Sequence, residues 1–290
     1  MKKFLIKILI FALLFGLSNL VFLKLIQKYD WNFSKLMEMD AFENKEFDCL
    51  IIGNSLAFDG FDMTQFEENG INAYNCAIAG ASIKTNLIQL ENYLNQNRAP
   101  KFIIHGLSSY RNTDFNSEIV FPAVDYLYVD SKLSYRELPM IKFKWMGAEL
   151  LKKVVSKDHR NAKIYRGQLR TVKMIPDKSQ LPKNLLTQID LGRYENAIYL
   201  ASIDSICLEH NIKLISIEMP AYFECQNAAP IGPIYYKNSN GIKRSFYNLN
   251  NVEFCKLFNP TSDWLGDSHL NLYGSQKFTK YLFDNKIVSY

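Results

Sequence analysis

The chain is poor in the residues that build metal clusters and disulfide scaffolds. Its five cysteines, Cys49, Cys76, Cys207, Cys225 and Cys255, are scattered with no CxxC pair, which argues against a zinc site and against a dense disulfide framework. Only four histidines are present, so few side chains can act as a base near neutral pH. No segment repeats at a fixed period and none is low in complexity, which excludes solenoids and linker-joined arrays. Charge of one sign is not in large excess: 34 Lys and Arg against 29 Asp and Glu leave a formal +5, too mild to indicate a polyanionic partner by itself. None of the nucleic-acid recognition motifs occurs. No metal, cofactor or nucleic-acid partner is therefore expected. What is present, 48% hydrophobic and 22% charged residues in a chain of 290, is the balance of a core-forming protein of one large domain or two small ones.

The amino terminus reads as a membrane segment. Residues 8–23 carry no charge, with Lys2, Lys3 and Lys7 before them and Lys24 and Lys28 after. Counted from Phe4 to Ile26, the run crosses a hydrocarbon core of about 30 Å at about 1.5 Å per residue. A soluble helix would show a polar stripe, whereas this one is apolar on all faces. Lys, Leu, Ile and Gln follow Leu23 where a signal peptide would carry a small-x-small cleavage site, which favours an uncleaved anchor. Positive charge is larger on the amino-terminal side, so the body is expected outside the cytoplasm. Residues 1–27 are read as the anchor and 28–290 as the body.

The body alternates strands and helices. Phe47 to Ile52 is a short apolar run ending at Gly53, and Ile71 to Tyr74 is a second, followed by a turn through Gly80. A short polar helix is predicted between them. Ile83, Leu87, Leu90 and Leu94 have the spacing of one helix face, closed by Pro100 before a strand over Lys101 to His105. Tyr194, Ile198, Ala201 and Leu208 predict a helix that leads into the strand Ile212 to Ile217. Strands alternating with helices imply an α/β fold, a parallel sheet covered on both faces, with the chemistry beyond the carboxyl ends of the strands.

Residues 131–183 break this rhythm. They hold 14 Lys or Arg against four acidic residues, about +10 in all, and read as a basic insertion or lid. Lys142, Lys144, Lys152, Lys153, Lys157 and Arg160 interleave with Phe143, Trp145, Leu150 and Leu151. That pattern suits an amphipathic helix facing anionic lipid or an acidic polymer, and equally a solvated helical face.

Two segments at opposite ends carry the candidate chemistry. In CLIIGNSLAFDGFD, Ser55 follows a buried strand across a Gly53 turn and precedes a helix, which places its hydroxyl at a strand's carboxyl end and aims backbone N–H groups outward. The GxSxG elbow is absent, because Ala57 stands where its second glycine would be. In DWLGDSHLNLYGSQKFTKYL, His269 follows Asp263 and Asp267. A serine nucleophile needs such a base, and a carboxylate can hold the imidazole tautomer. Among the other histidines, His105 belongs to a core strand, and His159 and His210 lie in charged surroundings.

Gly53-Asn54-Ser55 and the Asp267-to-Gly274 segment resemble the first and last blocks of the SGNH (GDSL-like) hydrolases and acyltransferases, over about residues 46–285. The resemblance implies a flavodoxin-like three-layer α/β/α fold with about five parallel strands. It implies Ser55 as nucleophile, His269 as base and Asp267 as acid. Gly80 matches the family's oxyanion glycine, and Asn54 is counted with the oxyanion and substrate positions. Two departures stand out. The family's acid falls three residues before the histidine, where this chain has Gly266, so Asp267 is one residue closer and Asp263 is a rival. The third block supplies an oxyanion asparagine, where this chain has Ser109 at the equivalent spacing from Gly106 and Asn112 a few residues later. The implied activity is ester hydrolysis or O-acyl transfer on an acylated small molecule, a cell-envelope glycan or a lipid-linked substrate. Anchored relatives of this kind work with a membrane-bound O-acyltransferase. The alternative is a catalytically silent module that binds an envelope polysaccharide or such a partner.

Overall fold

The computed structural model describes residues 1–109, 114–129, 138–156, 162–172, 189–221, 229–265 and 268–288. In chain order the elements are α1 (Lys2–Tyr29), α2 (Trp31–Asp40), β1 (Cys49–Gly53), α3 (Ser55–Gly60), α4 (Met63–Glu68), β2 (Ala73–Asn75), α5 (Ile83–Gln96), β3 (Phe102–Leu107), α6 (Pro122–Tyr128), α7 (Pro139–Lys142) and α8 (Gly147–Ser156). They continue with β4 (Ala162–Tyr165), β5 (Gln168–Thr171), α9 (Leu191–Glu195), α10 (Ile198–Glu209), β6 (Lys213–Glu218), β7 (Gly232–Lys237), β8 (Lys243–Asn248), α11 (Val252–Cys255), β9 (Trp264–Leu265), β10 (His269–Leu270) and α12 (Leu272–Asp284).

The described residues divide into two compact units, 1–41 with 122–160 and 42–121 with 161–290. The segment read as a basic insertion contributes to both, α7 and α8 to the first and the β4–β5 hairpin to the second.

The second unit is built on a six-stranded sheet in the order β2-β1-β3-β6-β8-β7. Five strands are parallel and β7 is antiparallel to β8 at the edge. The parallel five follow the doubly wound order in which the chain reverses direction between β1 and β3, the point where such sheets open a crevice. All five residues of β1 and all six of β3 are buried, as strands covered on both faces must be, which is why they read as unbroken apolar runs. Helices flank the sheet: α5 packs on α10, and α12 packs on α3 and α4. Phe278 of α12 meets Phe61 edge-on at 5.4 Å between ring centres.

The predicted strands fall within two residues of the observed ones, and the predicted helix is α5, capped by Ser82, whose Oγ accepts from Thr85 N–H. One expectation is corrected. Tyr194 to Leu208 is not a single helix but α9 and α10, broken at Asn196 and Ala197. Tyr194 is buried against Phe246, stacked at 4.2 Å, while Ile198 and Leu208 are exposed.

The first unit is helical. Asp30 ends α1 and caps α2, accepting from Phe33 N–H at 2.9 Å. Phe33, Tyr126 and Phe143 form its aromatic centre, with Phe33 edge-on to Phe143 at 5.4 Å. Among the described residues α1 is the one helix long and apolar enough to cross a membrane, a test that an amino-terminal signal sequence also passes.

The turn after β1 leaves no room for a side chain. At Gly53, φ is +148°, and a Cβ would lie 2.6 Å from the Gly106 carbonyl oxygen and 2.7 Å from Ala57 Cβ. Gly53→Ala is therefore expected to lower stability by about 1–3 kcal/mol through forced displacement of β3 or α3. Urea unfolding measures it, and an unchanged midpoint would show that the contact yields freely.

Candidate active site

Ser55 is the first residue of α3, and Asn54 is its cap, with Oδ1 accepting from Leu56 N–H at 3.0 Å. Within residues 51–60 only Ser55 is not buried. Gly53 makes the turn, and the absence of side chains at Gly53 and Gly106 lets Ala57 seat α3 directly on the strand ends. Asn75, at the end of β2, ties this turn to the next: its Nδ2 donates to the Ala57 carbonyl at 2.9 Å and its Oδ1 accepts from Ala77 N–H at 2.9 Å.

His269 arrives from the other end of the chain. It lies on β10, opposite Leu265 of β9, and its Nε2 is 2.8 Å from Ser55 Oγ. Its Nδ1 is 3.3 Å from Ser268 Oγ. The residues that follow position it. Asn271 caps α12, accepting from Tyr273 and Gly274 N–H groups at 2.9 and 3.1 Å, and its Nδ2 donates to the Ser262 carbonyl at 2.7 Å. A Cβ on Gly274 would lie 2.2 Å from the Asp263 carbonyl oxygen. The HLNxxG pattern is thus a strand end, a helix cap and a close backbone approach, all fixing one imidazole.

Asp263, the rival acid, is buried and engaged elsewhere. Its carboxylate accepts from Lys277 Nζ and Asn259 N–H, both at 2.6 Å, and from Ser262 Oγ at 2.9 Å. Asp267 and Asn112 lie outside the described residues.

Gly80 sits in a turn tied to the end of β1, since Ile78 N–H donates to the Gly53 carbonyl at 3.2 Å. Its φ is +83°, and it is exposed. Neither its N–H nor that of Ser55 is hydrogen-bonded among the described residues. Ser109 is held differently. Its N–H and Oγ both donate to Glu218 Oε1, at 2.9 and 2.8 Å, while Tyr194 OH donates to Oε2 at 2.6 Å and Arg193 donates to the Ser109 carbonyl at 2.7 Å. Burial pushes the Glu218 carboxyl above its usual range despite these donors.

Glu218 and Asn75 were not singled out in the sequence, and Tyr194 was read only as part of a helix face. The signal for Glu218 was an acidic residue closing the apolar strand KLISIE, a position buried at the carboxyl edge of the sheet.

Among the described histidines, His269 is the one that faces the serine. His210 is exposed at the end of α10, and His159 lies outside the described residues. His105 is buried in β3 beside Asn86, its Nε2 3.4 Å from Asn86 Nδ2.

No protein-family model matches the chain. No curated protein matches it either. A solved structure from Streptococcus pneumonia, provisionally described as a platelet activating factor, is similar to it with 13% identity and a TM-score of 0.40, over 90% of this chain and 94% of that one. A likeness that distant assigns no chemistry to this chain.

Burial lowers the His105 pKa to about 3, against about 6.5 in the unfolded chain. The unfolded state therefore binds the extra proton between these values. Stability is fully present above about pH 6.5 and falls on acidification, by up to about 1.4 kcal/mol per pH unit. His105→Gln should flatten that slope between about pH 6.5 and 4 in urea unfolding. An unchanged slope would mean that the imidazole is solvated.

Proposed function

We propose that this protein is an SGNH-type, serine-dependent acyl-transfer enzyme anchored to a membrane. The observation that carries the reading is the 2.8 Å approach of His269 Nε2 to Ser55 Oγ, with the serine at the carboxyl end of β1, where doubly wound sheets hold their ligands. His269 takes the hydroxyl proton as Ser55 Oγ attacks an ester carbonyl. The N–H groups of Ser55 and Gly80 stabilise the oxyanion, a contribution of about 2.7–4 kcal/mol for one such donor. The tetrahedral intermediate collapses, the protonated histidine gives its proton to the departing alkoxide, and the acyl group stays on Ser55. His269 then activates the acceptor hydroxyl, which takes the acyl group and restores the serine.

Water as acceptor makes an esterase and a sugar hydroxyl makes an O-acyltransferase. The apolar amino-terminal helix and the basic segment favour a cell-envelope glycan or lipid-linked substrate, with the body outside the cytoplasm and a membrane-bound O-acyltransferase as partner. Asp267 is assigned as the acid from its place in the sequence. Asn54 caps the nucleophile's helix, and Ser109 is held by Glu218.

One observation favours a second reading. Both Ser109 donors are committed to Glu218, so Ser109 does not serve as the third-block oxyanion donor, which suits a silent module that binds an acylated polysaccharide.

Serine-directed fluorophosphonate labelling of the detergent-extracted chain separates the two. Wild type should label, while Ser55→Ala and His269→Ala, with unchanged thermal unfolding, should not, and aryl-ester turnover should fall by roughly 10⁴- to 10⁶-fold in each. A folded wild type that neither labels nor turns over an aryl ester would support the binding module.

A further inference from the structure

Helix α8 is apolar on two sides. Its inner side is buried through Leu150, with Met146 and Phe143 just before it. Its outer side carries Leu151 at 69% exposure and Val155 at 80%, about two and three turns beyond Trp145 at 55%. These residues, with Ala148 between them, recur at the three- and four-residue spacing of a single helix face. A solvated outer face would be polar, and a contiguous exposed apolar patch of this kind marks a contact surface. Lysines border it: Lys144 and Lys152 are exposed and Lys153 half-buried.

The neighbouring α1 indicates what the surface meets. Residues 2–17 of α1 are all exposed, and packing within this unit begins only at Ser18 and Asn19. That bare stretch reaches about 24 Å at about 1.5 Å per residue, against a hydrocarbon core about 30 Å thick. A bilayer that α1 crosses must therefore also take in the first packed turn. There, Asn19 Oδ1 accepts from Met140 N–H at 3.0 Å, which sets the start of α7 at that depth. Farther along, Lys153 Nζ lies 3.9 Å from Asp30, about 16 Å beyond Asn19 along α1. The path from Met140 to Lys153 thus starts inside the core and crosses its boundary to the aqueous side. Tryptophan and lysine at such a depth are the side chains that the boundary favours.

We propose that the outer face of α7 and α8, from Met140 through Trp145, Leu151 and Val155, is a membrane-interface surface that docks onto an anionic leaflet beside α1. Its lysines meet lipid phosphate and its apolar stripe meets the acyl boundary. The surface fixes the height at which the chain leaves the bilayer. The inference rests on α1 crossing the membrane and is independent of the chemistry at Ser55.

The test uses the full chain reconstituted into vesicles of phosphatidylcholine with phosphatidylglycerol, brominated near the headgroup. Trp145 emission, read as the difference between wild type and Trp145→Phe, should be quenched by the brominated lipid and shielded from aqueous acrylamide. Replacing the exposed Lys144 and Lys152 by glutamate, or the exposed pair Leu151 and Val155 by glutamine, should reduce the lipid quenching roughly twofold or more, with thermal unfolding unchanged. A chain that withstands alkaline extraction while Trp145 stays open to acrylamide and unquenched by lipid would overturn the docking and leave the patch to a protein partner. A chain stripped by alkali would overturn the span and the docking together.

Discussion

The arrangement at Ser55 depends on how closely α3 approaches the ends of β1 and β3. Three positions without bulk make that approach: Gly53, Gly106 and Ala57. In register, Gly53 lies opposite Gly106, and the Ala57 methyl fills the space that a Cβ on either glycine would need. A larger residue at any of the three would lift the helix and carry the serine away from the strand end. The same crowding explains why Ala57 replaces the second glycine of a nucleophile elbow without loss of the turn, since a methyl group is what the gap accepts. Asn75 then joins the α3 backbone to the turn that holds Gly80, so the proposed oxyanion donors move with the nucleophile.

The carboxyl-terminal segment completes the pair from 214 residues away. Its polar residues act mostly as scaffolding. Asp263 with Lys277 and Asn259, Asn271 at the start of α12, and Gly274 against a backbone carbonyl all fix the short β9–β10 hairpin from which His269 projects. Buried polar groups with every partner supplied rigidify a site, and the geometry that results is held before any substrate arrives.

Much of this was legible in the sequence, for identifiable reasons. Buried parallel strands read as apolar runs, so β1, β3 and the inner part of β6 could be located to within two residues. Ser55 and His269 could be paired because histidine is scarce and each lies beside punctuating glycines. Other features were illegible because they depend on distant contacts. Helices α9 and α10 part where Tyr194 turns inward to stack on Phe246, a contact no local pattern encodes. The edge hairpin of β7 and β8 offers no apolar alternation to read, since an aromatic residue stands on its solvated side as well as its buried one, Tyr235 beside Tyr236. Glu218 announced itself only as an acid at the end of an apolar strand, and its role in holding Ser109 appears once β3 and β6 are seen side by side. The basic segment was visible as a charge excess with interleaved apolar residues, but not its division between two units, nor which of those residues face outward.

The central claim is that Ser55 carries an acyl group during turnover. Mixing the full-length protein with an aryl acetate, quenching in acid within one turnover and mapping the peptides by mass spectrometry tests it directly. The account predicts one acetyl group on the peptide that contains Ser55, accumulating in a burst and absent when His269 is alanine. Turnover of the ester with no acetyl on Ser55, or acetyl spread over surface lysines, would contradict it.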